Sequence, residues 1–106
     1  MKVVDHEPSL WFLVSDGQDL ILDVSCNHSA FGYTWTLKLL DPEREEYHSK
    51  GRDSLSQLAH QIQTSAPILK ESQSPFKHRM ISNAMQEEVE AAILTWNSGR
   101  RREDEP

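Results

Sequence analysis

Residues 20–39 read LILDVSCNHSAFGYTWTLKL, and their apolar positions keep strict odd-even order through a reversal. Leu20, Leu22, Val24 and Cys26 alternate with Ile21, Asp23, Ser25 and Asn27. Beyond Asn27-His28-Ser29-Ala30, the set Phe31, Tyr33, Trp35, Leu37 and Leu39 alternates with Gly32, Thr34, Thr36 and Lys38. A period of two marks half-buried strands. A hairpin centred on His28-Ser29 pairs Cys26 with Phe31, Val24 with Tyr33, Leu22 with Trp35 and Leu20 with Leu37. Directly paired residues share a face, so every apolar partner lands on one side.

Upstream, Leu10 to Ser15 is apolar and aromatic and is closed by Asp16-Gly17, a tight-turn signal in which glycine supplies positive φ. A two-residue loop there pairs Leu13 with Leu20 and Trp11 with Leu22. A three-residue loop instead puts Leu10, Phe12 and Val14 on the shared face. Turn preferences favour the first arrangement, which buries Trp11. Downstream, Asp41-Pro42-Glu43-Arg44-Glu45-Glu46 ends the third strand, since proline cannot donate to a ladder and the charges resist burial. Residues 46–50 and 67–70 read either as loop or as short edge strands.

Two helical segments follow. Ser54-Leu55-Ser56-Gln57 matches a capping box, and Leu55, Leu58, Ala59 and Ile62 form one apolar stripe that Pro67 terminates. Ser74-Pro75 reads as an N-cap and first helical position. From there a stripe of Ile81, Met85, Val89, Ala92, Ile93 and Trp96 extends to about Asn97, with Gly99 as a stop. The expected fold is therefore α+β. A three-stranded antiparallel meander (about 10–15, 19–27 and 31–40) precedes two helices (about 54–65 and 75–97) that cover one sheet face. The whole chain, 1–106, is expected to be one domain, frayed at 1–8 and 100–106.

Composition narrows the function. A formal charge of −6 disfavours general affinity for nucleic acid or anionic membrane. The clusters Lys77-His78-Arg79 and Arg100-Arg101-Arg102 sit at opposite ends of the last helix with acids between them, so they read as solvated helix ends. The single cysteine excludes an intramolecular disulfide and fits a reducing compartment. With no apolar run long enough to cross a bilayer and no secretory leader pattern, the expected location is cytoplasmic.

The chemical candidates are few. Cys26 shares its phase with the buried set, so it reads as a packed thiol rather than a nucleophile. Cys26 and His28 are two apart, but two ligands fall short of a structural zinc site. His60 lies at the margin of its helical stripe. Asp23 stands opposite Thr34 in this register, with no second carboxylate beside it for acid-base work. No catalytic, metal-ligating or cofactor-binding residue is assigned.

The other face of the sheet carries more functional content. With Trp11 and Leu13 facing the helices, Phe12, Val14 and Ile21 point away, interleaved with Thr34 and Thr36. Such contiguous apolar surface marks a contact site, unless the long helix wraps onto that face or the first hairpin takes the other register. The expected function is a small acidic non-enzymatic protein that binds another protein, or a second copy of itself, through a sheet face or edge. Acidic accessory proteins of bacterial cells, toxin-neutralising immunity proteins among them, are similar in size, charge and compactness only. The alternative is a small-ligand binder or enzyme with a pocket lined by Tyr33, Trp35, His60 and Trp96.

Overall fold

The computed structural model describes residues 1–28 and 31–104, and of His28, Phe31 and 100–104 the backbone alone. Among these residues four strands form one antiparallel meander: β1 (Lys2–Glu7), β2 (Trp11–Ser15), β3 (Leu20–His28) and β4 (Phe31–Lys38). Three helices follow, α1 (Asp41–Lys50), α2 (Arg52–Ser65) and α3 (Asn83–Asp104), with a one-turn 3₁₀ segment at Lys77–Arg79. The class is α+β, with one strand and one helix more than the sequence reading.

The added strand is β1, in the segment expected to fray. It pairs with β2 from Lys2↔Ser15 to Glu7↔Trp11, with a bulge between Val3 and Asp5. A tight turn holds the reversal, the Leu10 N–H donating to the Glu7 carbonyl at 3.0 Å while Ser9 takes φ 65°. Asp5 then ties the strand to the helices. Its carboxylate accepts from the Tyr47 hydroxyl and from Arg52 Nε, both at 2.8 Å.

Both hairpin registers differ from expectation by two residues. Between β2 and β3 the loop is Asp16–Asp19, and Leu13 pairs with Leu22 and Trp11 with Val24. Asp16 Oδ1 holds this wider turn by accepting from the N–H groups of Gln18 and Asp19 at 2.9 and 2.7 Å. Between β3 and β4, Cys26 pairs with Tyr33, Val24 with Trp35 and Leu22 with Leu37. The centre of that reversal, Ser29 and Ala30, lies outside the described residues. Because the side-chain period is two, an even shift leaves every residue on its expected face. It does change neighbours: Asp23 stands opposite Thr36, not Thr34, and accepts from the Thr36 hydroxyl at 2.6 Å.

The helices take opposite faces of the sheet rather than one. On the first face Trp11, Leu13, Leu22, Val24, Cys26 and Leu37 pack against Leu55, Ala59 and Ile62 of α2 and against Phe76. Polar contacts fix the orientation of α2: Trp11 Nε1 donates to Ser56 Oγ at 3.1 Å, and Gln63 Nε2 to the Ser25 carbonyl at 2.6 Å. On the second face Val14 and Ile21 pack against Val89 and Ala92 of α3, with Val3, Ile81, Met85 and Ile93 around them.

Segment 41–50, taken as a strand terminator with a loop or edge strand, is a helix. Pro42 sits in its first turn, where no N–H is required, with Asp41 and Glu43 at the N-terminal end and His48 and Lys50 at the C-terminal end. The Leu40 N–H donates to Glu43 Oε1 at 2.8 Å. No α1 residue is buried, so the segment has no apolar stripe to betray it. Residues 67–70 form turns. α2 begins at Arg52 rather than Ser54, whose hydroxyl donates to the Gly51 carbonyl at 2.9 Å instead of capping.

The last helix starts eight residues later than expected, at Asn83 rather than 75, because the preceding segment serves β4 instead. The Ile81 N–H donates to the Thr36 carbonyl at 3.1 Å, Met80 bridges Leu37, and Trp35 Nε1 donates to the Phe76 carbonyl at 3.1 Å. Ser82 Oγ accepts from the Met85 N–H at 3.3 Å and opens α3. The helix runs through Gly99 to Asp104, past the expected stop at 97, so 100–104 are helical rather than frayed.

Candidate functional site

The five residues expected on an outer contact face are mostly covered. Val14 and Ile21 are 0% exposed and Thr36 is 3% exposed, all behind α3 or the segment leading into it. Phe12 is half-buried, its ring 5.5 Å from that of Trp96 and 5.9 Å from that of His6. Thr34 is exposed. The long helix wraps onto this face, which corrects the picture of an open apolar back.

The four residues of the alternative pocket are not brought together either. Tyr33 and Trp35 lie on the α2 side of the sheet, Trp96 lies on the α3 side, and His60 is exposed on α2. His60 instead borders a shallow hollow of about 470 Å³ with Thr64, Pro75 and Phe76.

The chemically versatile side chains have structural surroundings. Cys26 is 2% exposed, and its thiol donates to the Val24 carbonyl at 3.8 Å. Burial pushes the thiol above its usual range, and the adjoining Tyr33 hydroxyl is pushed up to about 12, also by burial. Asp23 is raised by burial and further by Glu90 on α3, against the pull of its Thr36 hydrogen bond. Among the described residues no group of three or more His, Cys, Asp or Glu is placed to hold a metal ion. No helix among them is long and apolar enough to cross a membrane.

The sheet's two edges are treated unequally. On β4 the Thr36 N–H donates to Met80 Sδ at 3.3 Å, and the Lys38 carbonyl accepts from Arg79 Nη2 at 2.9 Å. Arg79 also grips Glu43 through two nitrogens, at 2.6 and 3.0 Å, so β4 is closed from Thr36 onward. On β1, an edge strand of the sheet, the His6 N–H donates to the carboxylate of its neighbour Asp5 at 2.9 Å.

Beside this β1 edge lies a groove of about 680 Å³ between β1 and α3. Val3, Met85, Ala92 and Trp96 make its floor, and Met1 and Lys2 its strand-side wall. Ala91 and Thr95 present a small-residue flank of α3, while Asp16 and Glu88 stand on the rim. The exposed α3 acids Glu87, Glu88 and Glu90 make no ion pair among the described residues, unlike Asp5, Asp19, Glu43 and Glu46. The sequence reading passed over this site because it took residues 1–8 as frayed; the Val3-Val4 pair and the following Pro8 were the available strand-and-turn signal. No protein-family model, curated protein or solved structure matches the chain.

Proposed function

We propose that the chain is a small non-catalytic contact protein that takes a strand of another polypeptide onto the outer edge of β1, below the flank of α3. The observation that carries this reading is a sheet-edge strand, paired with β2 alone among the described strands, beside a groove with an apolar floor. A strand added to such an edge gains main-chain hydrogen bonds, and alternate side chains drop into the neighbouring hollow. Charges of both signs border the groove, Lys2 beside Asp16 and Glu88, and set the orientation of the incoming strand. Contact is favoured over catalysis by the placement of Cys26, which is buried, and of Asp23, which is half-buried and bonded by the Thr36 hydroxyl. A cytoplasmic setting, which keeps the lone thiol reduced, belongs to the same proposal.

The test is selection of random extended peptides displayed on phage against the chain immobilised sparsely enough to keep copies apart. Enriched peptides are expected to lose binding to Ala91→Arg, which fills the groove from an exposed helix position, and to keep it with Glu45→Arg on α1. Recovery of no peptides, or of peptides indifferent to Ala91→Arg, overturns the reading.

A further inference from the structure

We infer that the strand received at this edge is β1 of a second copy of the chain, laid antiparallel across a twofold axis so that two four-stranded sheets become one. This rests on the reading of β1 as a docking edge. The charges of the strand are self-complementary: β1 reads Lys2-Val3-Val4-Asp5-His6-Glu7, with its cation at one end and an anion at the other. Antiparallel apposition sets Lys2 of each copy opposite Glu7 of the other, whereas parallel addition sets like charge on like.

The bulge makes this register possible. In an unbroken strand Lys2 and Glu7 differ in parity and point to opposite faces. Here Lys2, Asp5 and Glu7 pair with Ser15, Leu13 and Trp11 and share the α2 side, while Val3 and His6 pair with Val14 and Phe12 on the α3 side. The extra residue at Val4 restores the phase, so that Lys2 meets Glu7 on one face and Val3 meets His6 on the other. A bulge ordinarily discourages edge pairing; two identical bulges related by a twofold axis are matched to each other.

The same axis places the two α3 flanks side by side. Ala91 and Thr95 are exposed and small enough to let the helices approach over the groove. Met1 and Val4, 40% and 44% exposed, are covered by the other copy. Such an interface is isologous and closed. With β4 capped from Thr36 onward, a full-length strand cannot be added on that side, and the assembly stops at two copies.

The test is sedimentation equilibrium of the full chain over a concentration series, with charge-swap variants. The wild-type chain is expected to reach the dimer mass. Lys2→Glu or Glu7→Lys alone turns both cross-axis pairs repulsive and weakens the dimer about tenfold or more, given the modest worth of each exposed pair. An equimolar mixture of the two variants opposes both anionic positions of one chain to both cationic positions of the other, so association returns. Ala91→Arg, at an exposed position on α3 rather than on β1, weakens the dimer while leaving Lys2 and Glu7 unaltered. A wild-type monomer at all concentrations, a dimer indifferent to the swaps, or a mixture no better than its components overturns the inference. Peptides that still bind in the Ala91-sensitive manner leave the edge reading standing when the dimer fails; loss of both removes both.

Discussion

Truncation of Ile21 tests the placement of α3 most directly. In an exposed sheet face, Ile21→Ala changes stability by no more than about 0.5 kcal/mol. In this fold Ile21 is 0% exposed, pairs with Val14 and lies against the Val89 and Ala92 side of the core. Removing its outer carbons from a packed site costs about 2–5 kcal/mol, transfer and cavity contributions together. For a domain of this size that is a fall in Tm of roughly 10–20 °C. Urea titration gives the free energy and thermal circular dichroism the midpoint. A double-mutant cycle then assigns the helix. Ile21→Ala and Val89→Ala share one cluster and are expected to couple by about 0.5–3 kcal/mol, whereas Ile21→Ala and Leu55→Ala lie on opposite faces and add within about 0.5 kcal/mol. A cost for Ile21→Ala below about 1 kcal/mol, or coupling to Leu55 as strong as to Val89, refutes the two-faced packing.

Asp23→Asn keeps an acceptor for the Thr36 hydroxyl but removes a half-buried charge that Glu90 disfavours. Since the fold raises this carboxyl above 3.8, it favours the protonated form, and the favourable linkage is present in acid and lost as pH rises through the folded value. The variant is therefore expected to be more stable than the wild type at neutral pH and to lose that advantage in acid, as urea titration at the two conditions will show. Asp5 has the opposite sign: burial alone would raise it, but hydrogen bonds from Tyr47 and the His6 N–H, with the Arg52 charge, bring it below 3.8. Its stabilisation is present above 3.8 and lost as pH falls through the lower folded value, so Tyr47→Phe is expected to flatten the acid limb of the stability profile. Arg79→Lys loses the two-pronged grip on Glu43 and is expected to cost about 1–2 kcal/mol by thermal denaturation, despite keeping the charge. The Cys26 thiol is expected to react with a chromogenic disulfide only as fast as the chain unfolds; fast modification of the native protein would contradict its burial.

Alternation carried the central hairpin because it depends on period alone: either register puts Cys26, Val24 and Leu22 on one side, and only the loop lengths decide between them. Loop length was illegible since Asp16-Gly17 fits a tight turn as well as the four-residue Asp16–Asp19 loop, where the Asp16 carboxylate accepts two hydrogen bonds from the loop backbone. The position of α3 had a signal that was read another way. Leu10 to Val14 is continuously apolar, which is the pattern of a strand buried on both faces. α1 had end signals without a stripe. It is held by two residues distant in sequence, Asp5 bonding Tyr47 and Arg79 bonding Glu43. The start of α3 was misplaced because the Phe76 to Ile81 backbone bonds to β4, a tertiary demand that helical periodicity cannot register.

The candidate site follows from how this chain spends its few helices. Two layers are needed because β2 and β3 carry apolar residues on both faces, and α2 and α3 supply one layer each. α3 contacts Val3 and His6 as well as Val14 and Phe12, so it lies toward the β1 side and overhangs that edge. The connection before it is thereby drawn across the opposite edge, where Met80, Ile81 and Arg79 close β4. Covering β4 and exposing β1 are thus two consequences of a single chain path. A perturbation that detaches 76–81 from β4, such as Ile81→Pro, which removes the donor to Thr36, should therefore open β4 to hydrogen exchange while leaving α3 seated through Val89 and Ala92. If β4 amides stay protected in that variant, the edge asymmetry has another source, and the assignment of docking to β1 loses its physical basis.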